Sequence, residues 1–414
     1  MHKLNKSYIL LSYPLGLVIL LLSLSSKTLK AAPKPIPSQL NVPTQPQKQS
    51  NTPDTNRAAA EKAEAEAKKL NLKTTPITQV IAKWEEALKY WRLASDRKKE
   101  SAILDRIAKL YWFRGEYRKA LEYAQKALPI CQVLGDRKCQ GAVATSLSLI
   151  YDRLGEYQKA IAFYEQVPLF YSETPNLRPT TLNNIAQIYD KLGEKQKAID
   201  AYEQAFDFWK KQGDVVNQAA TLEQIAFLYA SLGEINKSFE ILNQANSLDP
   251  EFKRDRMVSN LVYLLVANSI CTDKLATLKK PPEVKQPKTA SNPSANSNRD
   301  AVVKNQIEGW NKNVEQWHTL EILGGEADFL ELIGGLGYRQ IGEYAKALDV
   351  YQKALNLRQI MGGKPAQAKT LTEVAQILNK QGKKQEAIDH LNQALNIQRQ
   401  IKTRPAQADT LLTL

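Results

Sequence analysis

The chain has 414 residues, 43% of them hydrophobic and 24% charged, with a net charge of +14 and a pI near 9.4. That apolar fraction is ample for a buried core, while three histidines and three cysteines leave little material for a metal site or a histidine-based catalytic centre. The basic excess does not point to nucleic acid, because Lys and Arg alternate with Glu and Asp, as in GEYRKALEYAQKAL at 115–128, and such mixing reads as a solvated face.

At the amino terminus His2, Lys3 and Lys6 precede an apolar run from Tyr8 to Leu24, and Ala31-Ala32 offers small residues for cleavage. Residues 1–31 are read as a secretory signal or, if uncleaved, as an anchor through residues 8–24. Either reading predicts an exported (periplasmic or extracellular) or membrane-anchored protein that meets the membrane only through this segment. Six prolines among Gln, Asn, Ser and Thr over 32–57 predict a disordered, extended linker. The stretch AAAEKAEAEAKKL at 58–70 predicts a short helix, supported by Glu64 and Lys68 at i, i+4 spacing.

A phrase then recurs: RGEYRKAL at 114–121, LGEYQKAI at 154–161, LGEKQKAI at 192–199, LGEINKSF at 232–239, IGEYAKAL at 341–348 and QGKKQEAI at 381–388. Tyr111, Tyr151, Tyr189, Tyr229 and Tyr338 stand four residues before the shared glycine, and Ala120, Ala160, Ala198, Ala347 and Ala387 stand five after it, with Ser238 the exception. Within one unit Leu182, Ile185, Ala186, Tyr189 and Leu192 form one helical stripe and Ala198, Tyr202, Ala205 and Trp209 the next. Each unit is thus two antiparallel helices with a glycine fit for a left-handed turn between them, and Gly135-Asp136 and Gly213-Asp214 stop one unit and cap the next. Strand signals are nearly absent, so the fold is all-α.

These residues resemble the tetratricopeptide repeat (TPR), in a form whose period near 40 residues is similar to cyanobacterial arrays often found with CHAT domains. The resemblance implies an α-α hairpin solenoid, a TPR superhelix, interrupted by disordered linkers. A first array spans 58–271. It opens with a degenerate unit that keeps Trp84 and Ala87 but has Thr75 for the glycine, continues through four full repeats, and ends on an extra helix at Glu251 to Ile270. A linker covers 272–300. Val303, Ile307, Trp310, Val314 and Trp317 make 301–324 an amphipathic helix that packs on the next block, and 325–414 is a second array whose last repeat is cut short. Its joints read KPAQAKTL and RPAQADTL.

No residue pattern for chemistry emerges. His2, His318 and His390 are scattered, and the glycines at 334, 335 and 337 fail the dinucleotide spacing. Cys131 and Cys139 flank one turn and are expected to pack as small apolar residues rather than to bridge, although an oxidising compartment would allow a bridge. The expectation is a non-enzymatic scaffold, without cofactor or metal, that binds a protein or peptide segment in the groove lined by the first helices. The alternative is the regulatory or substrate-recruiting part of a caspase-like TPR-CHAT protease. Carrying the family's groove positions onto this sequence nominates Asp105, Lys109, Trp112, Asp152, Arg153, Asn183, Asn184, Gln187, Lys191, Glu223, Gln224 and Phe227. Thr145, Ser146 and Leu149 stand where relatives clamp a chaperone's terminal carboxylate, which disfavours that ligand.

Overall fold

The computed structural model describes residues 53–170, 177–248 and 293–413, with side chains in the last stretch described from residue 300. The expected signal or anchor and the expected helix at Glu251 to Ile270 lie outside the described residues. Among those that are described there are sixteen α-helices and no strand.

Helix α1 (Pro53–Lys69) pairs with α2 (Ile77–Leu93) as the degenerate first hairpin. Four hairpins follow: α3 (Arg97–Arg114) with α4 (Tyr117–Val133), α5 (Arg137–Leu154) with α6 (Tyr157–Phe170), α7 (Leu177–Leu192) with α8 (Lys195–Gln212), and α9 (Val215–Ser231) with α10 (Ile235–Leu248). The second block opens with α11 (Pro293–Thr319). It continues through α12 (Leu323–Leu332), α13 (Tyr344–Met361), α14 (Lys364–Lys380), α15 (Lys384–Gln400) and α16 (Arg404–Thr413). Helices α1 and α11 begin inside stretches expected to be linkers, and each begins on a proline. Proline's fixed φ and missing N–H are harmless at the first helical position, so it starts these helices rather than ending order.

Local chemistry accounts for the hairpins. Gly115 ends α3 at φ 100°, and its N–H bonds back to the Tyr111 and Trp112 carbonyls, closing the helix in a conformation that a Cβ would oppose. Asp96, Asp136 and Asp214 each accept a 3.0 Å bond from the backbone N–H three residues on, capping α3, α5 and α9. The large-and-small phase is a packing rule. Ala120, Ala160, Ala198 and Ala347 are completely buried, and Tyr164, Tyr202 and Tyr351 are nearly so. Tyr111 stacks on Tyr123 at 5.4 Å, and both hydroxyls donate to Glu85 of α2, Tyr123 at 2.6 Å. Burial, and then the Glu85 charge, push the Tyr111 hydroxyl up to about 12, so it stays a donor.

The glycines at 334 and 337 serve close packing. The last turn of α12 widens into a π-helix over Ile333–Tyr338. A Cβ on Gly334 would stand 2.6 Å from the Tyr351 ring, and one on Gly337 would stand 2.8 Å from Ile307 of α11. Val303 and Ile307 are buried there with Ile333.

Block two does not extend block one from its end. It returns to the first hairpin, where the Ile77 N–H donates to the Leu320 carbonyl at 3.1 Å and Leu320, Ile322 and Trp317 join the core of α1–α6. From there α12, α14 and α16 meet α3, α5 and α7 in turn. The turns interlock: Met361 sits over Gly115, Pro365 and Ile401 over Gly155, and Pro405 over Gly193. Lys364 and Arg404 open α14 and α16 beside the carboxyl ends of α5 and α7, where a cation favours the helix dipole.

One expectation is overturned. Cys131 and Cys139 are joined in a disulfide, with Cα atoms 5.5 Å apart. Gly135 in the left-handed region and the Asp136 cap reverse the chain within one tight turn, which brings the last turn of α4 against the first of α5. Burial and bridging are not exclusive here, since Cys131 is also fully buried.

Candidate functional site

The nominated residues lie on the first helix of each hairpin, α3, α5, α7 and α9. Neighbouring first helices touch through them. Ser146 of α5 donates to Asp105 of α3 at 2.6 Å, and Lys109 pairs with the same carboxylate at 2.6 Å. One turn on, the Arg153 guanidinium lies 5.7 Å from the Trp112 ring centre. Asp152 of α5 then takes a 2.6 Å ion pair from Lys191 of α7. Three separate contacts thus tie the first helices together: Ser146 to Asp105 and Arg153 to Trp112 between α5 and α3, and Lys191 to Asp152 between α7 and α5.

Asp105 is buried and held on both sides, so it braces α3 against α5. Ser146 is likewise consumed by Asp105, and Thr145 bonds back to the Gly141 carbonyl at 2.9 Å. The exposed part of the face begins farther along. Gln187, Lys191 and Gln224 are exposed, while Asn183, Asn184, Glu223 and Phe227 are half-buried. Two polar atoms of the set, Trp112 Nε1 and Asn183 Oδ1, are buried without a hydrogen-bond partner among the described residues. Such a group costs about 1–3 kcal/mol until something satisfies it.

What the sequence reading missed is the contribution of block two. Gly363 packs against Tyr117 and the Arg153 carbonyl, so the joint at 361–365 reaches the same edge of α5 that carries Asp152 and Arg153. Between the blocks lies a cleft of about 570 Å³ floored by Leu121, Leu154, Leu192 and Ile401. Arg118, Lys364 and Lys402 rim it, and Lys159 there is paired with Glu156 at 2.6 Å. The available signal was the repeated Pro-Ala-Gln-Ala at 365–368 and 405–408, a phrase more specific than a helix start requires.

For chemistry, the described residues bring no three metal-ligating side chains together. His318 Nδ1 faces Glu326 at 3.2 Å and His390 Nδ1 faces the Glu386 carbonyl at 2.9 Å, each on an exposed surface. No described helix is long and apolar enough to cross a membrane. What the face can do is present amides, charges and a few rings to an extended chain.

A family model described as Tetratricopeptide repeat matches residues 99–167, 177–250 and 335–400, about half of the chain. No match is found among curated proteins. Among solved structures, aspartyl phosphate phosphatase F from Bacillus subtilis aligns at 13% identity and TM-score 0.42, covering 75% of this chain and 71% of that one. A tetratricopeptide repeat protein from Parabacteroides merdae aligns at 16% identity and TM-score 0.34, covering 75% and 98%. Likeness of that size carries no argument about ligands.

Proposed function

The chain belongs to the tetratricopeptide repeat family, and from that premise we propose that it is an exported or membrane-tethered scaffold that holds an extended protein segment along its first helices. The observation that supports this reading is that contacts from Ser146 to Asp105, Arg153 to Trp112 and Lys191 to Asp152 hold α3, α5 and α7 together, while on α7 Gln187 and Lys191 are exposed and Asn183 and Asn184 half-buried. An extended segment offers backbone N–H and C=O groups at regular intervals, and amide side chains answer both kinds. Export is supported by the Cys131–Cys139 disulfide, because such bonds persist in oxidising compartments.

Panning a displayed peptide library on the purified protein tests the binding reading. Enriched peptides should lose affinity by roughly tenfold when Asn184 and Lys191 are both changed to Ala, about 1.4 kcal/mol for losing one or two hydrogen bonds. Undiminished binding by that variant, or no enrichment at all, would refute it. Export is tested separately in the native host. An amino terminus that still begins at Met1 on a cytosolic protein, with Cys131 and Cys139 both open to alkylation, would exclude it.

A further inference from the structure

The cleft between the blocks is lined by none of the residues nominated on the first helices. Its walls are the starts of α4 and α6 and the two joints of block two, and Leu121, Leu154, Leu192 and Ile401 make its floor apolar. Around that floor stand Arg118, Lys159, Lys364 and Lys402 against a single carboxylate, Glu156, which Lys159 already engages. Lys364 donates to the neutral Gln400 amide at 3.1 Å, and Arg118 and Lys402 make no ion pair among the described residues.

Two of these cations are not what the repeat asks for. The place three residues after the turn glycine holds Gln158, Gln196, Asn236, Ala345 and Gln385 in the other copies, and only Arg118 is charged there. Its side chain lies across Gly362, with Nε 3.3 Å from where a Cβ would stand, so the bare joint of block two leaves it room at the cleft wall. Lys402 follows Ile401 in left-handed backbone at φ 60°, the place of Gly135, Gly213 and Gly362 in three other joints and of Ser95 in a fourth. A Cβ strains the backbone there and glycine does not, so the turn itself does not call for lysine.

We propose that this cleft is a second binding site, separate from the first-helix face, and that it takes an acidic protein segment. Apolar side chains of the segment settle on Leu121, Leu154, Leu192 and Ile401, while its carboxylates pair with Arg118, Lys364 and Lys402. The occupant is acidic because these three cations meet no carboxylate among the described residues. It is a protein segment rather than a lone anion because the cations come from three separate places, the start of α4, the start of α14 and the joint before α16, around an apolar floor. Carboxylates spaced along a chain, with apolar side chains between them, match that arrangement, whereas a single head group answers one cation and leaves the others.

Fluorescence polarisation of short labelled peptides on the purified full chain tests this. Peptides alternating Leu or Phe with Asp and Glu should bind, and the same peptides with Asn and Gln in place of the acids should bind roughly tenfold more weakly or not at all. The double variant Arg118→Gln, Lys402→Gly takes residues that hold those places in other copies, so it should keep its Tm while losing roughly tenfold in affinity for the acidic set. A chain with Asn184→Ala and Lys191→Ala should bind that set as the wild type does, which separates the cleft from the first-helix face. Equal binding of the acidic and amide sets, no binding of either, or acidic binding undiminished in the Arg118/Lys402 variant overturns the proposal. So does capture of phosphatidylglycerol vesicles that depends on the same two cations while the peptides fail, which would assign the rim to a membrane surface.

Discussion

The two blocks are written in the same phrase, but block one is a host and block two a guest. The block-one joints at Gly135-Asp136 and Gly213-Asp214 have nothing packed over their glycines and use the Asp side chains to cap the next helix, while the block-two joints carry Pro365 and Pro405 and are sunk into the glycine turns of block one. The buried position sixteen residues after the turn glycine shows the same division: Cys131 and Trp209 occupy it in block one, Arg358 and Gln398 in block two. A repeat therefore fixes which positions are buried without fixing what chemistry fills them.

The largest effect is expected at Arg358. It is buried against Asp328 and against Glu331 at 2.8 Å, and Thr370 holds the same Glu331 at 2.7 Å. Burial alone would lower its affinity for a proton, but Glu331 and Asp328 raise it, so the guanidinium is always charged. Arg358→Ala leaves the two carboxylates facing each other and should cost about 3–5 kcal/mol in a denaturant titration. A small cost would mean that the network is as dispensable as a surface pair. Paired glycine substitutions sharpen the host-and-guest distinction. Gly155→Ala and Gly382→Ala both force alanine into left-handed backbone, about 1–2 kcal/mol each, at φ 78° and 80°. Only the first drives a Cβ into Ile401, adding about 1–3 kcal/mol of overpacking. Equal melting temperatures for the two variants would break the inferred joint.

A gain is expected at Ser238, the one serine in the alanine phase. Its side chain is fully buried and its hydroxyl has no hydrogen-bond partner among the described residues, so Ser238→Ala should raise stability by about 1 kcal/mol, readable as a higher Tm. The smallest effect is acid-dependent. Glu64 of α1 accepts from Trp91 at 3.1 Å, Lys68 at 2.6 Å and Lys99 at 3.3 Å. Burial pushes its carboxyl up, but the Lys68 bond and the Lys99 charge prevail and hold it below the usual 4.5. The folded chain thus binds this proton more weakly than the unfolded one, so the stabilisation is whole above pH 4.5 and fades as pH falls below it. Tm measured against pH should lose that acid-side slope in Glu64→Gln, while parallel curves would show the pairs to be inert.

Much of this was legible because it is local. Helical periodicity, the left-handed glycine and the Asp cap each depend on residues within one or two turns, so the phrase at 154–161 announces its hairpin wherever it occurs. Phase put the nominated groove positions on first helices, but the pairing of Asp105 was not legible, because Ser146 reaches it from 41 residues away. The disulfide was missed for a related reason, since spacing alone does not show which way two side chains point across a turn.

The sequence by itself determined the hairpin unit, its period and the set of buried phases, since these follow from backbone geometry and from the repetition of a few small and large side chains. Tertiary structure alone decided that 341–348 lies open while 154–161 is covered, and that block two returns to Ile77 instead of continuing from Leu248. The physical reason is that near-identical phrases have near-identical local energetics. Which copy is buried depends on contacts made across some two hundred residues, where Met361, Ile401 and the two prolines find a glycine turn to fill.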